Sequence, residues 1–433
     1  MKRAKRLRFP SLRIFSSCLG SIHLAGSLQP LTHSLVAIVS ILSHSPHLIA
    51  SNAMSKMLAP SLLKSPIRCM RGAALLSKVA TRYFQSSRSV SSSLSNHLYP
   101  LPNGSPSHFG REVIGIDLAK ATSNDVFAEE VNEALYQHGV LVFRNQSHIT
   151  PQDEINFARL FSHQADDENQ SYTGGAGTQH RLPEYPSIAL VGSYRVENFY
   201  GLTAESKGVY NEWPHDQRAW HCDGLADTHP PPDLTTMRCL ITPQQGGQTL
   251  FACSVKAAEL MDVTKLETDW GIHPEDVRVN YRLFGKYEIA REGTHLLSAS
   301  GSKGQTDQAW DVNLSDGTSV PLVIRERHSG KKSLVGSYHV ASISSLADSA
   351  SDPPRLDFEG ANKYMAEVWK PGLSDEYLYR HQWRVGDLVA WSNRLVIHTA
   401  TSTSAYAGEQ RLHTRIRMRS RPEDAPKSWS VKK

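Results

Sequence analysis

No aspartate or glutamate occurs in this chain before Glu112. The same 111 residues carry 14 lysines and arginines. Of the 47 basic and 42 acidic residues overall, the remainder therefore keeps 33 basic against all 42 acidic, a balance of −9. The calculated basic character belongs to the leader, and the acidic body argues against general affinity for nucleic acid. Cysteine is also scarce. There are five, an odd number, with no Cys-x-x-Cys pair, and two of them (Cys18 and Cys69) fall in the acid-free stretch. That excludes a disulfide framework and points to a reducing compartment. No apolar run reaches the roughly 18–20 residues needed to span a bilayer. The longest, around Leu35–Leu42, is flanked by His and Ser.

Residues 1–96 read as a targeting region, Arg- and Ser-rich without acid, which is the composition of a mitochondrial transit peptide. From Met54, basic residues from Lys56 to Arg82 are scattered among Leu62, Leu63, Ile67, Leu75, Leu76 and Val79, and a Ser-rich tail follows. Residues 54–95 make a complete leader alone, so Met54 is a candidate true start and 1–53 an extension of the gene model. The competing readings are a disordered basic tail and a cytoplasmic protein. A secretory signal fits poorly, because the apolar run lies far from the N-terminus.

The folded body is read as one domain over 97–425, followed by a basic tail over 426–433. A short strand at Glu112–Asp117 precedes a helix capped at Ser123–Asp125, with Val126, Phe127, Val131 and Leu135 inward and Gly139 ending it. Val140–Phe143 is a buried strand, and Thr150-Pro151 opens a second helix with Phe157, Leu160 and Phe161 inward. Residues 163–220 read as loops and short strands. Strands follow at Thr235–Ile241 and Thr249–Cys253, then a short helix capped by Ser254. Residues 295–320, rich in Ser, Gly, Asp and Thr, read as an insertion. After a helix at Ala361–Trp369, strands at Trp383–Trp391, Leu395–Ala400 and Arg411–Arg419 close the body. Many short strands with turn signals indicate a mainly β fold with flanking helices, a sandwich or barrel.

The chemistry centres on Trp220-His221-Cys222-Asp223. On an extended strand, His221 and Asp223 point to one face and Cys222 to the other. Two histidines and one carboxylate on one side of a metal leave open positions, the ligand set of non-haem Fe(II) oxygenases. His398, beyond the turn Ser392-Asn393-Arg394, is the candidate second histidine. In the last strand Arg411, His413, Arg415, Arg417 and Arg419 alternate with Leu412, Thr414, Ile416 and Met418. Arg411 and Arg415 share a face about 13 Å apart, so they can serve two different anionic groups. The plainer readings are a salt-bridged surface pair or a zinc site at 221–223, solvated Arg417 and Arg419, a hydrogen-bonded structural His413, and packing roles for Cys222, Trp220 and Trp391.

The motifs Gly115-Ile116-Asp117-Leu118, Gly139–Gln146, Trp220–Asp223, Gly246-Gly247-Gln248-Thr249-Leu250-Phe251, Trp391–Arg394, His398 and Arg411–Arg415 occur in an order that resembles the taurine dioxygenase and 2,4-D dioxygenase family of Fe(II)/2-oxoglutarate oxygenases. The resemblance covers roughly residues 98–420. It implies a double-stranded β-helix (jelly roll), with His221, Asp223 and His398 on Fe(II) and Thr249 and Arg411 on the distal carboxylate of 2-oxoglutarate. It further implies consumption of O2, a supporting role for ascorbate, and hydroxylation of a C–H in a small organic molecule. Arg415 corresponds to the family's arginine at the substrate end and suits an anion. Gln217 and Tyr185 match substrate-proximal positions. The family's substrate histidine is Leu182 here, which counts against taurine, and the gap from His221 to His398 is longer than the family's. A xanthine-type hydroxylase, a mitochondrial carnitine-pathway hydroxylase and a catalytically silent jelly-roll binder are the alternatives. Relatives are often dimers or tetramers, so a homo-oligomer is left open.

Overall fold

The computed structural model describes residues 93–433 except 103–104, 162–179, 208–219, 226–229, 282–317, 338–339, 350, 402–407, 419 and 430–433. The expected leader over 1–92, Gln217, and the insertion as far as 317 lie outside the described residues.

Local signals set the elements. Helix α1 (Asp125–His138) begins where the Asn124 side chain accepts from the N–H groups of Val126 and Phe127, and it ends at Gly139, φ +76°. Strand β1 (Val140–Phe143) follows at once and is buried throughout. Helix α2 (Pro151–Arg159) opens with a reciprocal Thr150–Asp153 capping box and proline in its first turn. The later elements are β2 (Tyr185–Phe199), β3 (Leu234–Ile241), β4 (Thr249–Cys253), α3 (Phe358–Trp369), β5 (Leu378–His381), β6 (Leu388–Ser392), β7 (Val396–Ala400) and β8 (Arg411–Met418).

Two sheets face each other. The larger runs Leu98–Tyr99, Arg111–Val113, β1, β6, β3, β8, β2 and Arg181–Leu182, with Leu202–Lys207 added on β2. The smaller runs β5, β4, β7. His221 extends it through an isolated antiparallel bridge to His398, and a second bridge joins His221 to Ser337. Val142, Met237, Phe251, Trp383, Val389 and Trp391 fill the space between the sheets. Leu141 and Phe143, the alternate residues of β1, point the other way and pack with Leu135 of α1 and Phe157 of α2. This is a jelly roll with helices on its outer face.

Several details differ from expectation. Val126 is 50% exposed, because the capped first turn of α1 presents its second residue outward. Leu160 is only half-buried. Before residue 220, where only short strands are expected, the chain also forms the 15-residue strand β2. The strand expected from Trp383 starts at Leu388, because Gly386 (φ +86°) turns the chain first. The end of the expected insertion, Thr318–Pro321, is a strand paired with Val277–Tyr281. The fold also reaches past both expected borders. Leu94 is buried against the α1 core, and the Ser93 hydroxyl donates to Glu130. In the expected tail, the Arg325 N–H donates to the Lys427 carbonyl and the Trp429 N–H to that of Val323. The Arg325 guanidinium lies 4.0 Å over the Trp429 ring.

Candidate metal and co-substrate site

The bridge between His221 and His398 consists of two backbone hydrogen bonds, 3.0 Å from the His221 N–H and 2.9 Å from the His398 N–H. It sets the two rings 4.2 Å apart, centroid to centroid. Asp223, two residues on, brings its carboxylate to the same side. Each Nε2 lies 3.9 Å from one of its oxygens. One ligand atom from each of the three residues falls within 4.8 Å of the others. Cys222 faces away as alternation requires, its thiol buried and pushed up to about 12 by that burial. It is a packing residue.

The electrostatics favour a cation. Burial alone would raise the Asp223 carboxyl. Arg415, whose Nη1 lies 3.3 Å from Oδ1, outweighs it together with the histidines and holds the group well below the usual carboxylate range. Burial, with His221 adding, pushes His398 down to about 3, so its imidazole is neutral and able to ligate. The Thr235 hydroxyl donates to Asp223 Oδ2 at 2.6 Å. Asn393 joins them, donating to Thr235 Oγ1 at 3.0 Å and accepting from the Asp223 N–H at 3.2 Å. The Trp391 indole N–H donates to the same Asn393 oxygen at 3.2 Å. His398 Nδ1 has no hydrogen-bond partner among the described residues. Its ring is fixed by Trp391 at 4.9 Å and Phe251 at 6.1 Å. Outer hydrogen bonds orient metal-ligating groups, and here Thr235 and Asn393 support the carboxylate.

Thr249 and Arg411 are also brought together. On β4, Thr249 lies two residues before Phe251, which pairs with His398, so all three side chains share one face. Its Oγ1 accepts from the Trp383 indole at 3.0 Å, leaving the hydroxyl hydrogen to point elsewhere. Arg411 is buried, and its Nε donates to the Gly247 carbonyl at 3.1 Å, two residues from Thr249. A Cβ on Gly247 would sit 3.3 Å from Arg411 Cδ, so the glycine turn lets the arginine lie flat. Tyr185, by contrast, packs edge-on against Tyr200 at 5.6 Å, in the layer that includes Leu182 and Ala158 of α2. Its described contacts do not join it to the triad. His180 meets the Tyr194 hydroxyl at 2.8 Å.

Sequence reasoning missed Thr235, Asn393 and Trp383, whose roles depend on contacts between distant segments. It treated His413 as hydrogen-bonded, whereas the ring is fully buried with neither nitrogen bonded among the described residues. Alternation along Arg411–Arg415, which sets His413 between two arginines on one face, was the available signal.

A jelly roll holding two histidines and a carboxylate between its sheets defines the class of non-haem iron oxygenases. The model of the taurine catabolism dioxygenase TauD, TfdA family matches residues 97–417, and the chain belongs to that family. It is 23% identical over 359 residues to an alpha-ketoglutarate-dependent xanthine dioxygenase of Schizosaccharomyces pombe, covering 72% of this chain and 84% of the relative. It is 26% identical over 341 residues to an alpha-ketoglutarate-dependent 2,4-dichlorophenoxyacetate dioxygenase of a Burkholderia species, covering 77% and 98%. The crystal structure of AAD-2 in complex with Mn(II) and N-oxalylglycine shares the fold, with a TM-score of 0.50 and 21% identity over 74% of this chain and 97% of that one. The chain is thus a 2-oxoglutarate-dependent non-haem iron dioxygenase acting on small molecules. Among the described residues, no helix is long and apolar enough to cross a membrane.

Proposed function

We propose that this enzyme hydroxylates a C–H of a small organic anion, with His221, Asp223 and His398 holding Fe(II) and Thr249 and Arg411 holding the distal carboxylate of 2-oxoglutarate. The observation that carries this reading is the convergence of three ligand atoms within 4.8 Å, with Asp223 kept ionised by Arg415. One carboxylate and two imidazoles suit a divalent ion and leave coordination positions free. Fe(II), when bound, supplies the activation of O2 that couples oxidation of 2-oxoglutarate to succinate and CO2 with attack on the substrate.

The chain's own contribution is positioning. Thr235 and Asn393 fix the Asp223 carboxylate. Arg411 offers a planar fork suited to a carboxylate, which an ammonium matches less well. Trp383 orients the Thr249 hydroxyl. The apolar residues between the sheets, Phe251 and Trp391 among them, keep water from the reacting carbon. Arg415 touches Asp223, so an anion that it also engages lies beside the metal. Relatives acting on 2,4-dichlorophenoxyacetate support an anionic substrate. The similarity to xanthine dioxygenases supports a second reading, a flat heterocycle.

The test uses purified protein with Fe(II), ascorbate, 2-oxoglutarate and a panel of carboxylates, sulfonates and xanthine. We expect succinate formation that some anions accelerate. His221→Ala should lose both iron and succinate production. A wild-type protein that binds iron but never consumes 2-oxoglutarate would make this a silent binding protein. Arg415→Lys, which keeps a positive charge beside Asp223 but loses the planar fork, should weaken stimulation by the anion while slow uncoupled turnover persists.

The acid-free leader supports mitochondrial import. A fluorescent fusion of residues 54–96 should enter mitochondria, and diffuse cytosolic signal would overturn that. We further expect no binding to nucleic acid, and a homo-oligomeric state is testable by light scattering.

A further inference from the structure

Three polar side chains, Arg411, His413 and Arg415, share the inner face of β8, since they pair in unbroken alternation with Ser193, Val191 and Ala189 of β2. His413 alone has no role so far. It is fully buried, and neither ring nitrogen meets a hydrogen-bond partner among the described residues. An imidazole carries at least one N–H donor in every protonation state, and leaving such a group buried and unpaired is unfavourable. Its neighbours are those of the co-substrate end of the site. The Trp383 ring stands edge-on to it at 4.5 Å, and the same indole donates to Thr249 Oγ1. Cys239 of β3 lies opposite in register. The charged and titratable groups around it are Arg411 and His381, besides the Cys239 thiol. Burial and these two groups hold His413 far below the ordinary imidazole value, so it is a neutral donor at neutral pH.

We propose that His413 donates its ring N–H to the distal carboxylate of 2-oxoglutarate, as a third partner beside Thr249 and Arg411. The inference rests on the co-substrate reading above. A carboxylate has two oxygens and about four acceptor positions, enough for an arginine fork, a hydroxyl and an imidazole. The otherwise unbonded ring nitrogen then gains a partner when the co-substrate enters, and the strand keeps a polar residue where a packing role would favour an apolar one.

The experiment measures binding of N-oxalylglycine, a non-reacting analogue, to Mn(II)-loaded protein by calorimetry, with thermal melts of each variant without ligand. His413→Phe should melt at or above the wild-type temperature and bind about tenfold more weakly or worse, the loss expected for a hydrogen bond to a charged group. His413→Gln, which keeps an N–H, should recover most of the affinity. In wild-type protein labelled with ¹⁵N-histidine, one imidazole nitrogen should shift on ligand addition. An affinity within twofold of wild type for His413→Phe, or an unmoved imidazole signal, would overturn the proposal. A melting temperature several degrees lower with an unchanged ligand response would mark His413 as packing alone. Arg411→Ala separates the two levels of inference. If it binds the analogue normally, the co-substrate reading fails; if it loses binding while His413→Phe does not, only the role of His413 fails.

Discussion

Asp223 depends on a hydroxyl twelve residues away. Thr235→Val keeps shape and removes the 2.6 Å donor, so iron affinity should fall by about 10- to 100-fold with the circular dichroism spectrum unchanged; equilibrium dialysis measures it. Arg411→Lys keeps the charge and loses the fork. At about 1.5–3 kcal/mol per charge-assisted bond, the KM for 2-oxoglutarate should rise at least tenfold in a succinate assay. At this scale the grouping of His221, Asp223 and His398 was legible, because His221 and Asp223 obey strand alternation and His398 follows in a recognisable order. The supports were not. Asn393 reaches Asp223 across 170 residues of sequence, and only folding brings them together. The pairing of Arg415 with Asp223 was likewise invisible, since sequence spacing suggested only that the arginine faced an anion.

Strand β2 shows what element-level reading could not reach. Its residues do not alternate cleanly between buried and exposed, and Gly192 sits within it at φ +131°. The glycine is required by a close approach: a Cβ there would lie 1.9 Å from the Arg411 carbonyl oxygen. Gly192→Ala should therefore lower the melting temperature by several degrees and also weaken 2-oxoglutarate binding, because β8 must move away. Calorimetry with and without the co-substrate would register both effects. Helices α1 and α2 were legible because their caps are local chemistry. Val126 was misplaced because hydrophobic spacing alone does not say which way the first turn faces.

The whole molecule keeps several histidines uncharged. Burial lowers both His381 and His413 below the ordinary value of 6.5. Below that pH the unfolded chain takes up protons that the folded chain refuses. Their contribution is thus complete above about pH 6.5 and lost as pH falls, by up to roughly 1.4 kcal/mol per unit for each group. Melting temperature should decline between pH 7 and 5, and His413→Phe should flatten the decline. Burial raises the Glu154 carboxyl to about 7, which opposes the decline over the same range, so the difference between wild type and His413→Phe is the measure; identical profiles would contradict the burial of the His413 ring. The jelly roll itself was legible from many short strands. The outward reach to Leu94 and Trp429 was not, since single apolar residues in polar stretches carry no periodicity. The pairing of His221 with His398 through their own main-chain groups has one more consequence. The cage for the ion is assembled by the sheet, not by the ion, so stripping the protein with a chelator should leave it intact, and adding Fe(II) should return full turnover within mixing time, with no refolding lag.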